Sequence, residues 1–235
     1  MCRCSFDQAQ QIVGTTNAVF ASALPSPPAA PRGGARETRR EARSRRLGAR
    51  SRRAWPRKNA GLVSGSLAMD DLIVSTGVSF RALALPGFMD NILRNIESIR
   101  QLGTFSWPIL PTLKLPHCAT LDIAAVASKL LLDRSWSGRD DLPILGPEDL
   151  SFDELAQIVS DVLQRPVRYQ QISIAAFKSN LLQHGASEAI AQGMIDMFDA
   201  KNQGLDNGVR RSAETNSPTS FRAFCEQVLK PLALA

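Results

Sequence analysis

From residue 61 onward the chain alternates short apolar runs with longer amphipathic stretches. Met69, Leu72 and Ile73 share one face of a helix that stops at Thr76-Gly77. Residues 80–85 are mostly apolar and closed by Pro86-Gly87, which predicts an internal strand covered on both faces. Residues 90–102 place Ile92, Leu93, Ile96 and Ile99 on one helical face, with Gly103 just beyond. Pro108, Pro111 and Pro116 punctuate residues 104–119, which read as irregular. Thr120 is placed as the cap of a helix to about Asp133, with Asp122 in its first turn as the macrodipole favours. Residues 142–145 read as a strand before Gly146-Pro147. Ser151 and Glu154 form a capping box opening a helix to about Gln164. A strand over 167–172, helices over 174–183 and 187–202, a polar loop over 204–218 and a last helix over 220–229 complete the pattern. Short strands alternating with longer helices predict the α/β class.

The first sixty residues follow no such pattern. Residues 24–58 are rich in Pro, Ala, Gly, Arg and Ser and carry no aliphatic period, so they are expected to be disordered. Charge divides the chain at the same place. Residues 1–58 hold 13 Lys+Arg against 3 Asp+Glu, a balance of +10, whereas the rest holds 15 against 19, a balance of −4. The net charge of +6 therefore belongs to the first quarter, and the remainder is a mildly acidic domain. An Arg-rich arm on nucleic acid, an organelle transit peptide and a shifted reading frame or wrong start are the three readings of this tract. The last is favoured, and a nucleic-acid partner is not.

Four scattered cysteines (Cys2, Cys4, Cys118, Cys225) do not make a disulfide framework. Cys2 and Cys4 lie far from the only histidines, His117 and His184, so no metal site is expected. No apolar run approaches the length of a membrane span.

Residues 77–95 (GVSFRALALPGFMDNILRN), 120–133 (TLDIAAVASKLLLD) and 142–172 (LPILGPEDLSFDELAQIVSDVLQRPVRYQQI) resemble the C-terminal half of NmrA-like proteins, atypical short-chain dehydrogenases/reductases. AKNQGLD at 200–206 and PTSFRAFCEQVL at 218–229 fit the same pattern. The resemblance implies that residues 61–235 are the C-terminal portion of such a protein, an incomplete Rossmann-like parallel sheet with a mostly helical C-terminal substrate lobe, and the disordered basic segment over 1–60 is expected to lie outside that fold. It implies an NAD(P)H-dependent oxidoreductase, of the quinone type among others, or a redox-sensing NAD(P) binder. A non-catalytic fragment that binds no cofactor is the alternative.

The chain has no Gly-x-Gly-x-x-Gly fingerprint to hold a pyrophosphate at a helix N-terminus, so NAD(P) is expected to bind without tightness. Tyr169, the only tyrosine, is followed four residues on by Ser173 and not by lysine, and reads as a strand packing residue. Neither Ser66, Asp70 nor Asp71 on the preceding helix is a Lys or His base. His117 reads as a turn residue and His184 as a helix end. Catalytic residues are thus not assigned.

Pro86, Gly87 and Phe88 are the cofactor-facing candidates that the resemblance carries over, because ligands of open α/β sheets lie beyond the carboxyl ends of strands. Met89 and Trp107 are the substrate-pocket candidates, for a small-molecule substrate. Trp136 either lines that pocket or covers the core, and Met194 and Met197 read as core. A cytoplasmic location is expected. Strand 80–85 is expected to have an unpaired edge through which the chain self-associates.

Overall fold

The computed structural model describes residues 60–133 and 135–235, together with the backbone of residues 18–22. Strand β1 (Ala18–Ser22) and strand β2 (Ser79–Ala84) pair antiparallel, from Ala18 opposite Leu83 to Ser22 opposite Ser79. On its other side β2 pairs parallel with Arg139–Pro143. The open edge expected along residues 80–85 is therefore filled. A buried strand needs partners for both rows of backbone groups, and Ala18–Ser22, from within the segment expected to lie outside the fold, supplies the second row. The rest of residues 1–59 lies outside the described residues.

Helix α1 (Leu62–Ser75) precedes β2. Its expected apolar face points outward: Met69 is 44% and Leu72 68% exposed, and Val63 is the helix's buried residue. Leu62 and Leu67 pack on the main core instead. Periodicity marks a stripe but not which end of a helix meets its neighbour, and here the N-terminal half makes the contact.

After Pro86 the chain forms β3 (Gly87–Phe88), a 3-10 stretch over Met89–Asn95 and helix α2 (Ile96–Leu102), which Gly103 closes in the left-handed conformation. One continuous α-helix is expected from the sequence; the tighter winding covers a segment tied at both ends, by Asp90 to Thr120 and by Asn95 to the Ser106 N–H. A 3-10 helix rises more per residue and so spans such a gap with fewer residues.

Residues 104–119 are not irregular. They hold two strands, β4 (Thr104–Trp107) and β5 (Leu115–Cys118), with Pro108 and Pro111 in the connection between them. Strand β5 pairs parallel with β3 and antiparallel with β6 (Asp149–Leu150), and β4 pairs parallel with β7 (Arg168–Gln171). The prolines mark strand ends more than they interrupt strands; Pro116, within β5, is tolerated in a strand of only four residues.

Helix α3 (Thr120–Leu132) lies over a small core of Leu83, Leu85, Cys118 and Ile144. Helix α4 (Phe152–Leu163) anchors the larger core, burying Phe152, Leu155, Ala156, Val159, Val162 and Leu163, the spacing of one helical face. Its Ser151–Glu154 capping box is complete: the Glu154 N–H donates to Ser151 Oγ at 3.2 Å and the Ser151 N–H to the Glu154 carboxylate at 2.8 Å. Helices α5 (Ile174–Gln183) and α6 (Glu188–Asn202) stand as expected, capped by Ser173 and Ser187. Ser220 caps a last helix that begins at Phe221–Phe224, widens into a π turn at Cys225–Leu229 and continues through Lys230–Leu234.

Candidate functional site

Beyond the carboxyl end of β2 a pocket opens between β3, β5 and helix α6. Gly87, Phe88 and Met89 form one side, and Trp107 forms part of another. Ile92, Phe105, Leu155 and Phe198 continue the apolar wall. The enclosed volume is about 80 Å³. Pro86 is fully buried behind this wall and does not line it.

The other candidates fall as follows. Met194 and Met197 are core residues, as expected, and also line the pocket. Trp136 does not line it; its Nε1–H donates to the Leu130 carbonyl at 2.8 Å and its ring faces the Arg81 guanidinium at 4.7 Å. Tyr169 is a half-buried strand residue whose hydroxyl lies 2.7 Å from both the Trp107 and Ile109 carbonyls. Burial pushes that hydroxyl's pKa up. His184 ends α5, with Nδ1 2.8 Å from the Asn180 carbonyl.

His117 is not a turn residue. It sits in β5, buried, pairs with Gly87 across the β3–β5 ladder, and lines the pocket. Its backbone is fixed from behind by Gly146: a Cβ there would lie 1.8 Å from the His117 carbonyl oxygen, so only glycine allows this approach. Burial lowers the imidazole pKa to about 4, with the Lys201 charge adding to the effect and Asp206 opposing it. His117 is therefore neutral at neutral pH, and its Nδ1 has no hydrogen-bond partner among the described residues.

Lys201 and Asp206 also line the pocket, as a buried pair with Nζ 2.5 Å from the carboxylate. Only 5% and 4% of the two residues is exposed. The sequence signal for Lys201 is its place on the buried stripe of α6, three residues after Phe198 and seven after Met194. A lysine on an apolar stripe needs a counter-charge, and Gly204 turns the chain so that Asp206 supplies it. Arg94, from the 3-10 stretch, completes the charged lining, with Asn91 beside it. Sequence reasoning did not single out His117, Lys201, Asp206, Asn91 or Arg94 for this pocket, because they are distant in sequence and meet only in the fold.

The pocket combines apolar walls with a neutral imidazole and a compensated ion pair. Among the described residues no group of three or more His, Cys, Asp and Glu could hold a metal ion, and no helix is long and apolar enough to cross a membrane.

No family model matches the sequence. Prestalk A differentiation protein A of Dictyostelium discoideum is 27% identical over 164 residues, 68% of this chain and 54% of that protein. NAD(P)H azoreductase of Xenophilus azovorans is 34% identical over 114 residues, 48% of this chain and 39% of that protein. The chain thus matches about half the length of these curated relatives. Among solved structures, a nucleoside-diphosphate-sugar epimerase of Staphylococcus aureus superposes with a TM-score of 0.60 at 17% identity, over 74% of this chain and 62% of that one. The NADPH-dependent quinone oxidoreductase of Escherichia coli gives 0.56 at 19% identity, over 69% and 60%.

The fold is therefore of the Rossmann-like α/β class found in NAD(P)-dependent reductases and epimerases. Within it, the resemblance to the C-terminal half of the NmrA-like short-chain dehydrogenases/reductases is borne out.

Proposed function

We propose that this chain supplies the substrate-binding half of an NAD(P)H-dependent oxidoreductase acting on a small planar acceptor such as a quinone. The observation that carries the reading is the pocket itself: aromatic and aliphatic walls with His117 Nδ1 unpartnered at a buried edge, next to Gly87 and Phe88. Such a cavity takes a flat apolar ring and orients it through one polar atom. The azoreductase relative and the quinone oxidoreductase neighbour, whose names specify NAD(P)H or NADPH, support the reaction class.

Gly87 and Phe88, which line the pocket where the buried Pro86 does not, are the residues proposed to face the dinucleotide's nicotinamide end. The described residues do not fit its pyrophosphate. The glycine-led start of α1, at Gly61, is filled from the side: a Cβ on Gly61 would meet the Gly193 carbonyl oxygen at 2.1 Å. No other Gly-rich turn enters a helix among the described residues. The dinucleotide is accordingly expected to bind this chain no better than nicotinamide mononucleotide does.

Hydrogen exchange on the full chain tests the reading. Added naphthoquinone should protect the amides of Gly87, Phe88 and His117. Saturating quinone without protection in that segment, or protection confined elsewhere, overturns it.

A further inference from the structure

The charged side chains lining the pocket are Arg94, Lys201 and Asp206. Lys201 and Asp206 neutralise each other at 2.5 Å. His117 adds no charge at neutral pH, since burial lowers its imidazole pKa to about 4. One positive charge remains, that of Arg94. No hydrogen bond or ion pair engages the Arg94 side chain among the described residues, and burial of part of it lowers its pKa. A guanidinium at a pocket rim with no protein acceptor offers a bidentate donor pair to an anion.

Size points the same way. The enclosed part of the pocket, about 80 Å³, is smaller than the roughly 150 Å³ cavity that takes up benzene. A planar ring seated against Phe105 and Trp107 must therefore extend out to the rim, where the exposed Arg94 stands.

We infer that the pocket is selective for planar aromatic acceptors bearing one anionic group, a sulfonate or carboxylate, which pairs with Arg94 while a polar atom at the inner end of the ring meets His117. This rests on the substrate-lobe reading above and specifies its substrate class. Arg94 is then a specificity-determining residue, not a catalytic one.

Calorimetric titration of the full chain with naphthoquinone and with naphthoquinone sulfonate tests the inference. The sulfonate should bind about tenfold more tightly at low salt, an increment of the size a charge-assisted pair provides, and the preference should shrink as salt screens the rim. In Arg94→Gln the ratio should collapse to near one, and in Arg94→Lys part of it should survive. Arg94 is exposed, and circular dichroism melts of both variants verify that they fold. Equal binding of the two probes by the wild-type chain, or a preference that survives Arg94→Gln, overturns the inference while neutral-quinone binding leaves the substrate-lobe reading standing. Failure of both probes to bind overturns the two together.

Discussion

The carboxylate of Asp90 receives both the backbone N–H of Thr120, at 3.1 Å, and its hydroxyl, at 2.8 Å. The N-terminal cap of α3 thus comes from the segment that lines the pocket, thirty residues upstream, and not from Thr120 itself, which is the helix's first residue after Ala119. A second tie repeats the device: Asp122 in the first turn of α3 accepts from the Thr219 N–H at 3.0 Å and the Thr219 hydroxyl at 2.8 Å. The pocket wall, α3 and the final helix are therefore held together by two carboxylate–threonine pairs.

Asp90→Ala is expected to cost about 1 kcal/mol, the usual loss for a helix cap, and to loosen the 89–95 segment. Urea unfolding measures the first effect. A double-mutant cycle with Thr120→Val measures the coupling, and additive losses would contradict the tie.

Lys201→Met leaves Asp206 buried without its counter-charge, and should destabilise the chain by about 3–5 kcal/mol. Lys201→Met with Asp206→Leu removes both charges and should recover most of that loss. If the single variant unfolds at the same urea concentration as the wild type, the pair is not the closed ion pair described.

The His117 imidazole pKa is depressed to about 4 from an ordinary 6.5. The unfolded chain takes up a proton between those values and the folded chain does not, so stability is fully present above pH 6.5 and falls as the pH drops towards 4. The loss is on the order of 3 kcal/mol. The difference in unfolding midpoint between pH 7 and pH 4.5 should be larger for the wild type than for His117→Leu. Glu154 and Asp161, whose carboxyl pKa values are lowered chiefly by the Lys114 and Arg222 side chains, lose their contribution at lower pH still.

Tyr169→Phe removes the donor shared by the Trp107 and Ile109 carbonyls. An expected loss of about 1–2 kcal/mol follows from leaving these acceptors unmatched. Quinone titration of the variant should still show binding; complete loss of it with an intact melt would contradict a packing role for Tyr169.

Local patterns settled much of this fold. The Ser151–Glu154 capping box, the apolar stripe of α4 and the β2 run are all properties of a few adjacent residues, and they hold in the structure. The strings at 77–95, 120–133 and 142–172 carried the family resemblance in the same way. The family resemblance pointed to the segment after β2, and in the structure Gly87, Phe88 and Met89 line the pocket there. What the sequence could not convey is who meets whom across long separations. The partner of β2 on its second edge is Ala18–Ser22, the cap of α3 is Asp90, and the outward face of α1 carries the leucine expected inside. The polar heart of the pocket draws Arg94, His117, Lys201 and Asp206 from three distant segments. Each is unremarkable beside its own neighbours. Their chemistry appears only when burial removes water from His117, pairs Lys201 with Asp206 and leaves Arg94 unmatched, because desolvation and Coulomb interaction depend on distance in space and not along the chain.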